Sequence, residues 1–492
     1  MIGRLRFAAA FGAAALVIAG AALAQQAAPV PATPVSTPTP ASTPTPSPAV
    51  FAPTPAATPA PIPTPAPVST PAPVPIPTLP GAAALPIPVD PNAPALVPPK
   101  PKKKIVRIAP PLETALSDDP MPTLQPGTLQ ATTRALEVYR AIDQAGGWPR
   151  ISSPIRPGDK GPAVAMLRKR LAAEGDLAPA AALETLASLV WDDDLTGAVK
   201  HFQGRMGLRK TGIVAGATLK AINVSASERV NELAASVQRL AGMTFEFGDR
   251  YVVVNIPSLS VEAVEGGRIA HRYVAIVGGV EHMSPEIAAH IQVINLNPTW
   301  TVPTSIIRKE IIPKMQRDPG YLARAKIRIL DGAGNEVDPR SVDWNTQRAV
   351  AYTLRQDSGV GNSLGSIRIG MPNKLSVYMH DTPSKGLFGS DYRFLSHGCV
   401  RVQGVYNLAE WLLQGTPGGW DKNALTAKVK EGVREDVKLA QSVPVIWVYL
   451  TGWSNGDGVN FRNDVYDLDG ATIAAANALP ATPEPTLATP VQ

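Results

Sequence analysis

Apolar residues recur at helical spacing in the first folded part of the chain. In residues 128–157 the stretch ALEVYRAIDQAGGWPRI has this spacing, and Gly-Gly followed by Trp-Pro ends the predicted helix. Residues 158–224 are predicted to form helix, loop, helix and helix, with apolar faces that suit a small three-helix module. The stretch ASERVNELAASVQRLAGM then predicts a connecting helix within residues 225–246.

Residues 247–470 instead contain many short runs of strand character, among them YVVVNIPSLSVEAV, RIAHRYVAIVGG, IQVINLN and VPVIWVYL. These runs predict a mainly antiparallel sheet domain with a few helices, so the chain as a whole is predicted to be an α+β multidomain protein. Residues from about 314 to 371 exceed what a tight sheet needs and include GVGNSLG. They predict either a segment that covers a site or an ordinary surface excursion.

The two ends of the chain have a different composition. Residues 1–24 combine the basic start MIGRLR, an Ala-rich apolar stretch and Ala-Leu-Ala, which predicts a cleaved secretory signal peptide, with an uncleaved anchor as the alternative. Residues 25–127 are rich in Pro, Ala and Thr and are predicted to be a disordered, extended linker. Residues 471–492 are predicted to be a low-complexity tail. An exported protein is therefore expected.

Charge and composition narrow the partners. The net charge of +6 is mild, and a lysine-rich run at 100–104 contributes much of it. A nucleic-acid partner is not expected, because basic residues are not interleaved with aromatic residues and no binding motif is present. An anionic envelope surface and a simply solvated charge run remain the two interpretations of that lysine cluster.

The only cysteine, Cys399, lies in the stretch YMHDTPSKGLFGSDYRFLSHGCVRV. A single thiol in an exported chain cannot form an internal disulfide, and a free thiol there would be a liability without a purpose. His380, Arg401 and the start of the helix VYNLAEWLL are each able to stabilise a thiolate, and Gly398 permits a sharp turn before the thiol. These residues predict a cysteine nucleophile, whereas the alternative is an unreactive buried thiol beside structural histidines.

No metal or cofactor is expected. The sequence has no H-x-x-E-H or C-x-x-C zinc motif and no phosphate-binding G-x-x-x-x-G-K-[ST] motif.

Two stretches resemble known families. The pattern G-D-x-G-x-A-V-x-x-L-x-x-x-L followed by A-V-x-x-F-Q-x-x-x-G-L resembles the three-helix peptidoglycan-binding domain of cell-wall enzymes. An insertion between Leu177 and Leu195 departs from the compact version of that domain. The resemblance implies binding to the cell wall, although its motif residues mostly serve capping and packing.

The second resemblance is to the YkuD-type catalytic domain of the L,D-transpeptidases. It rests on the text HDTPSKGLFGSDYRFLSHGCVR, with supporting likeness in GGWP, NPTWTVPTSI, EIIPK, YTLRQ and FRNDVY to large periplasmic members. It implies that Cys399 is the nucleophile and His380 the base. Oxyanion or pocket positions implied by the resemblance are Tyr378, Ser396, His397, Gly398 and Arg401.

Roles for individual pocket residues follow from the same likeness. Tyr378 is implied in an oxyanion hole, with packing as the alternative. Arg401 stands where many members carry Asn, and orients either the loop or a substrate carboxylate, with a structural ion pair as the alternative. Residues 314–371 are implied to be a substrate-capping subdomain within the catalytic domain.

The implied reaction acts on peptidoglycan. Cys399 would attack the diaminopimelate–D-Ala bond of a tetrapeptide stem, and an amine acceptor, from a second stem or an outer-membrane protein, would resolve the thioester. The alternatives are a carboxypeptidase that trims stems and a wall-binding protein with an inactive site. A monomer is expected.

Overall fold

The computed structural model describes residues 112–178, 185–456 and 458–478. The predicted signal peptide, most of the predicted linker and the last part of the predicted tail lie outside the described residues. Within the described part, no helix is both long enough and apolar enough to cross a bilayer. The described residues belong to one compact unit.

In the described residues, five helices precede the sheet domain, and their packed faces form a core to which Phe461 of the strand-rich part also contributes. A side-chain cap starts α3, where Asp192 accepts a hydrogen bond from the Leu195 amide at 2.9 Å, and a Ser225–Glu228 capping box starts α5. The helices are α1 Thr128–Gln144, α2 Pro162–Ala173, α3 Asp193–Arg205, α4 Gly216–Ile222 and α5 Ala226–Ala241.

The rest of the described chain is rich in strands, which agrees with the α+β class predicted from the sequence. The strands are β1 Arg250–Asn255, β2 Ser260–Glu265, β3 Arg268–Gly278, β4 Ile287–Leu296, β5 Trp300–Thr301, β6 Ile327–Leu330, β7 Glu336–Val337, β8 Thr353–Gln356, β9 Ile367–Gly370, β10 Met379–His380, β11 Phe394–Ser396, β12 Val400–Val402, β13 Glu435–Val448, β14 Gly452–Ser454 and β15 Val459–Phe461.

Among the described residues, nine strands form the main sheet in the order β11-β3-β12-β10-β9-β4-β13-β1-β2. Because β2 also pairs with β3, the sheet curls until its two ends meet, as in a barrel. Most pairs are antiparallel, but β10 runs parallel to β12, β1 parallel to β13 and β11 parallel to β3. The sheet is therefore mixed rather than purely antiparallel.

Side-chain alternation in β9, β10 and β12 separates an apolar face from a polar one. Ile369, Met379 and Val400 are fully buried in the main core. Their neighbours in sequence, which include His380 and Arg401, point to the opposite face. This face carries the chemistry described below.

A smaller subdomain is inserted between β4 and β9. It consists of the sheet β5-β8-β6-β7 with its own apolar core. A helical run, α6, spans 304–317 and contains a π-helical segment at Ile307–Ile311, and the short α7, Tyr321–Arg324, follows it. The sequence placed an insertion at about 314–371; the inserted sheet and core instead begin at Trp300 and end at Gln356. The difference arises because the run SIIRKEIIPKMQ packs against the inserted strands and not on the main sheet.

Three further helices complete the described chain: α8 Val405–Leu412, α9 Lys422–Glu431 and α10 Asp469–Ala478. Helix α10 extends into the segment predicted as a tail. The segment 112–127, predicted as the end of the linker, lies against the sheet domain: Leu124 is buried, and Thr123 donates a hydrogen bond from its amide to Glu262 at 2.8 Å. Both differences have one cause, because the packing surface for each segment comes from residues distant in sequence.

Candidate active site

Cys399 lies in a tight turn between β11 and β12. Gly398 has a φ of +108°, a conformation that a residue with a Cβ rarely adopts. The hydroxyl of Ser396 donates to the Cys399 carbonyl at 2.5 Å and accepts from the Gly398 amide at 3.2 Å. Ser396 and Gly398, both predicted from the sequence, therefore fix the backbone that presents the thiol.

Hydrogen bonds from Ser284, supported by Tyr466, also hold this turn in place. The hydroxyl of Ser284 donates to the Gly398 carbonyl at 2.7 Å and accepts from the Gly278 amide at 2.9 Å. The Tyr466 hydroxyl accepts from the Ser284 amide at 3.2 Å and donates to the Gly278 carbonyl at 2.6 Å. The sequence indicated Tyr466 only as part of FRNDVY and gave no sign of Ser284, because nothing local to Ser284 indicates its partners.

His380 lies on the strand next to the thiol. It is opposite Arg401 in the parallel pairing of β10 with β12, and the Val400 amide donates to the Tyr378 carbonyl at 3.1 Å. By strand alternation, Tyr378 and His380 share one face of β10, and β12 presents Arg401 on that same face. The structure therefore brings the predicted base and the predicted nucleophile to neighbouring strand ends.

The His380 imidazole is neutral at physiological pH. Burial, reinforced by the positive charge of Arg401, lowers its pKa to about 4. Contacts to the backbone carbonyls of Asp381 and Leu364 act in the opposite direction and are outweighed. Nδ1 has no well-aligned hydrogen-bond partner among the described residues. A neutral ring with an unpaired nitrogen is suited to accept a proton.

Tyr378 lies beside the thiol. Its hydroxyl and backbone are close enough to Cys399 to act against the rise in the pKa of the thiol, and the indole of Trp300 acts to lower the pKa of the Tyr378 hydroxyl. The rings of Tyr378 and His380 pack edge to face with centroids 5.7 Å apart. Trp300 belongs to the inserted subdomain, so this subdomain reaches the thiol through one tyrosine.

The thiol itself is partly exposed and un-ionised at rest. Burial raises the pKa of Cys399, while Tyr378 and the charges of Arg368 and Arg401 oppose that rise without cancelling it. The sequence analysis expected a thiolate stabilised by a neighbouring imidazole. In the structure the thiol of Cys399 and the imidazole of His380 are both neutral, so a thiolate can form only if the thiol proton leaves during attack.

His397 faces the inserted subdomain. Its Nε2 lies 2.7 Å from Glu310 Oε1 on α6, and its ring stacks on His282 at 4.8 Å. Burial lowers the pKa of His397 although Glu310 favours its charged form. Glu310 also accepts from Lys314 at 3.0 Å. His397 therefore joins the turn that carries Cys399 to α6, a contact that EIIPK by itself did not indicate.

Two arginines lie near Tyr378, His380 and Cys399. Arg401 is half-buried and its Nε has no hydrogen-bond partner among the described residues. Arg368, which the sequence analysis did not select, lies opposite His380 on β9 with its guanidinium carbon 4.5 Å from the centre of the Tyr378 ring. Only the register of three strands places these charges around one thiol.

Comparisons with known proteins identify the families that two parts of the chain match. Residues 249–419 match the family model of the "L,D-transpeptidase catalytic domain", and residues 160–222 match that of the "Putative peptidoglycan binding domain". Both resemblances drawn from the sequence are thereby confirmed. A Haemophilus influenzae protein named "Putative L,D-transpeptidase" is 33% identical over 246 residues, which is 49% of this chain and 49% of that protein. The chain thus matches about half the length of that relative.

Solved structures with related names are more distant. An L,D-transpeptidase from Xylanimonas cellulosilytica is 14% identical with a TM-score of 0.21, covering 61% of this chain and 100% of its own. One from Stackebrandtia nassauensis is 13% identical with a TM-score of 0.24, covering 61% and 96%. These scores are too low to bear on details of the fold.

Proposed function

We propose, from the premise that residues 249–419 form a catalytic domain of the L,D-transpeptidase family, that this protein is a cysteine acyltransferase of peptidoglycan. Its donor is a tetrapeptide stem, cleaved at the bond between diaminopimelate and D-Ala. Its acceptor is an amine, on a second stem or on an outer-membrane protein. The observation that carries the proposal is the meeting of a partly exposed thiol, a neighbouring tyrosine and a neutral buried imidazole on one face of adjoining strands.

The first half-reaction is acylation. Sγ of Cys399 attacks the diaminopimelate carbonyl carbon while the thiol proton passes to His380. The resulting oxyanion is stabilised by the Cys399 amide and the Tyr378 hydroxyl. The carbon–nitrogen bond then breaks, His380 returns the proton to the departing nitrogen, and D-Ala leaves a thioester behind.

The second half-reaction transfers the acyl group. The acceptor amine attacks the thioester carbonyl and gives a proton to His380. The carbon–sulfur bond breaks, and the departing sulfur recovers that proton as the thiol. An amine attacks a thioester more readily than water does, which favours transfer over hydrolysis.

The helical module supports the choice of substrate. Its match to a peptidoglycan-binding family suggests that residues 160–222 keep the enzyme on the cell wall, in the periplasm if the predicted signal peptide is functional. Arg401, a half-buried cation on the strand next to His380, is suited to bind a carboxylate of the stem.

Mass spectrometry of products tests this assignment. The full chain is incubated with disaccharide-tetrapeptides, and we expect release of D-Ala together with a 3→3 linked dimer. Cys399→Ala should abolish both products. Ser384→Ala changes an exposed residue between His380 and Cys399 in the sequence and should leave both products unchanged. Tripeptide without dimer would mean that the protein is a carboxypeptidase. Release of D-Ala by Cys399→Ala at the parent rate would overturn the nucleophile assignment.

A further inference from the structure

Arg368 has no role in the proposed reaction steps, but it lies next to two residues that have one. On β9 it lies directly across from His380, and its guanidinium covers the face of the Tyr378 ring at 4.5 Å. A cation over an aromatic face is attracted by the electrons of the ring, and the attraction strengthens where water is excluded. Tyr378 is itself largely shielded from solvent and lies beside the thiol.

A relay of polar side chains fixes the orientation of this guanidinium. Nη1 of Arg368 donates to Oδ1 of Asn295 at 3.0 Å. The other end of the same amide, Nδ2, donates to Asp436 Oδ1 at 2.8 Å, and Asn295 is 5% exposed. Because an amide has one accepting end and one donating end, the carboxylate of Asp436 determines which end faces Arg368. The relay therefore presents an acceptor to the cation.

We propose that Arg368 is a positioning residue that holds the Tyr378 hydroxyl on Cys399 and, through its charge, sets the reactivity of the thiol. The inference rests on the proposed function, in which Cys399 is the nucleophile. Three contacts define it: the guanidinium on the Tyr378 ring, the hydrogen bond to Asn295, and the closeness of the Tyr378 hydroxyl to Cys399.

The charges around the thiol support this assignment. Burial raises the pKa of Cys399, and a positive charge close by favours the thiolate that must form during attack. Arg368 and Arg401 both act in that direction. The two arginines differ in which other residue their charge affects. Arg401 also favours the neutral form of His380. Arg368 instead acts on Tyr378 and lowers the cost of placing its hydroxyl beside a developing negative charge.

The pH dependence of alkylation tests the proposal without any cell-wall substrate. Since Cys399 is the only cysteine of the chain, the rate of iodoacetamide labelling of the full-length protein reports on this thiol alone. For Arg368→Met we expect the rate at pH 7 to fall by roughly tenfold, with the rate in strong alkali within about twofold of the parent. The labelling profile should move toward higher pH.

Two variants separate charge from geometry. Arg368→Lys keeps the charge but cannot cover the ring and donate to Asn295 at once, so we expect a loss of roughly threefold at pH 7. Asn295→Leu keeps Arg368 but removes its oriented acceptor, and we expect a change in the same direction. Arg434→Met removes an exposed cation at the far end of the relay, beside Asp436, and should leave the profile unchanged.

An unchanged labelling profile in both Arg368→Met and Asn295→Leu overturns the proposal, as does an equal shift in Arg434→Met. If Arg368→Met does not fold, as judged by circular dichroism, Arg368→Lys and Asn295→Leu decide alone. Failure of the proposed function is recognised separately, because it appears as stem processing by Cys399→Ala or as a parent protein without any transfer product.

Discussion

At the scale of single residues, the burial of His380 affects both its proposed role as a base and the stability of the folded protein in acid. Its burial keeps the ring neutral and able to accept a proton, but it makes protonation costly in the folded state. The pKa of His380 is about 4 in the folded protein against an ordinary value of 6.5. The unfolded chain therefore binds more protons than the folded one between these two values.

From this difference we predict a loss of stability in acid. The free energy of unfolding should decrease as the pH falls from 6.5 to about 4, and His380 should account for up to about 3 kcal/mol of the decrease. Urea unfolding at pH 7 and pH 4.5 measures it. In His380→Asn the decrease should be smaller by most of that amount, while His290→Asn, at an exposed site, should behave as the parent. Equal pH sensitivity of His380→Asn and the parent would contradict the burial argument.

Gly398 gives a second prediction at this scale. A Cβ at this position would lie 3.4 Å from the Met283 carbonyl, on a backbone with a φ of +108°. Gly398→Ala should therefore reduce the free energy of unfolding by about 1–3 kcal/mol, because a side chain at this φ strains the backbone. It should also slow acylation by a carbapenem, because the strained turn is the one that presents Cys399.

Gly386→Ala is the matched control for this strain, since that glycine has open space around it and no positive φ. It should change stability by less than about 0.5 kcal/mol. A Gly398→Ala protein with parental stability and parental acylation would show that the turn tolerates a side chain.

At the scale of elements, the inserted subdomain meets the active site through two side chains. Trp300 on β5 acts on the Tyr378 hydroxyl, and Glu310 on α6 is paired with His397. Both groups of the His397–Glu310 pair are partly exposed, so the pair contributes little to global stability. Its consequence is local, because it ties α6 to the catalytic turn.

Glu310→Gln should therefore loosen α6 without unfolding the protein. We expect faster amide hydrogen exchange across residues 304–317, a fall in carbapenem acylation of less than about tenfold, and a change in unfolding free energy below about 1 kcal/mol. Glu336→Gln, which removes an exposed carboxylate 4.0 Å from Arg328 in the same subdomain, is the control. If exchange in α6 is the same in both variants, the pair does not hold the subdomain in place.

At the scale of the whole molecule, a side chain of the strand-rich domain completes the core of the helical module. Phe461 on β15 is 1% exposed within the core of the helical module, and its ring lies 5.4 Å from that of Tyr139. Arg205 on α3 donates to the Val459 carbonyl at 2.7 Å, and Arg462 donates to the Arg205 carbonyl at 2.8 Å. The sequence predicted a small helical module, and the structure joins this module to the strand-rich domain through these contacts.

Phe461→Ala should consequently destabilise both parts together. We expect one cooperative thermal transition at a lower temperature, with a loss of about 3–5 kcal/mol from removing a buried aromatic side chain. Circular dichroism at a helical and at an aromatic wavelength follows the two parts. Phe247→Ala, at a position 36% exposed, should change the transition far less. Separate melting of the helices in Phe461→Ala would mean that the module folds independently.

The sequence by itself determined those features of the protein that depend on local chemistry and on the periodicity of apolar residues. The helical module, the strand-rich domain and the stretch that ends in SHGCVR could all be predicted, because capping, alternation and the Gly398 turn are properties of neighbouring residues. The nucleophile and base could be proposed because the chain has one thiol and a short path to His380.

Only the tertiary structure decided which distant groups surround that thiol. Arg368 and Ser284 are brought to it by sheet register and by a turn, and Trp300 and Glu310 by the packing of the inserted subdomain. The protonation states followed from the same assembly, because burial and neighbouring charges, which no local pattern contains, set the pKa of His380 and of Cys399.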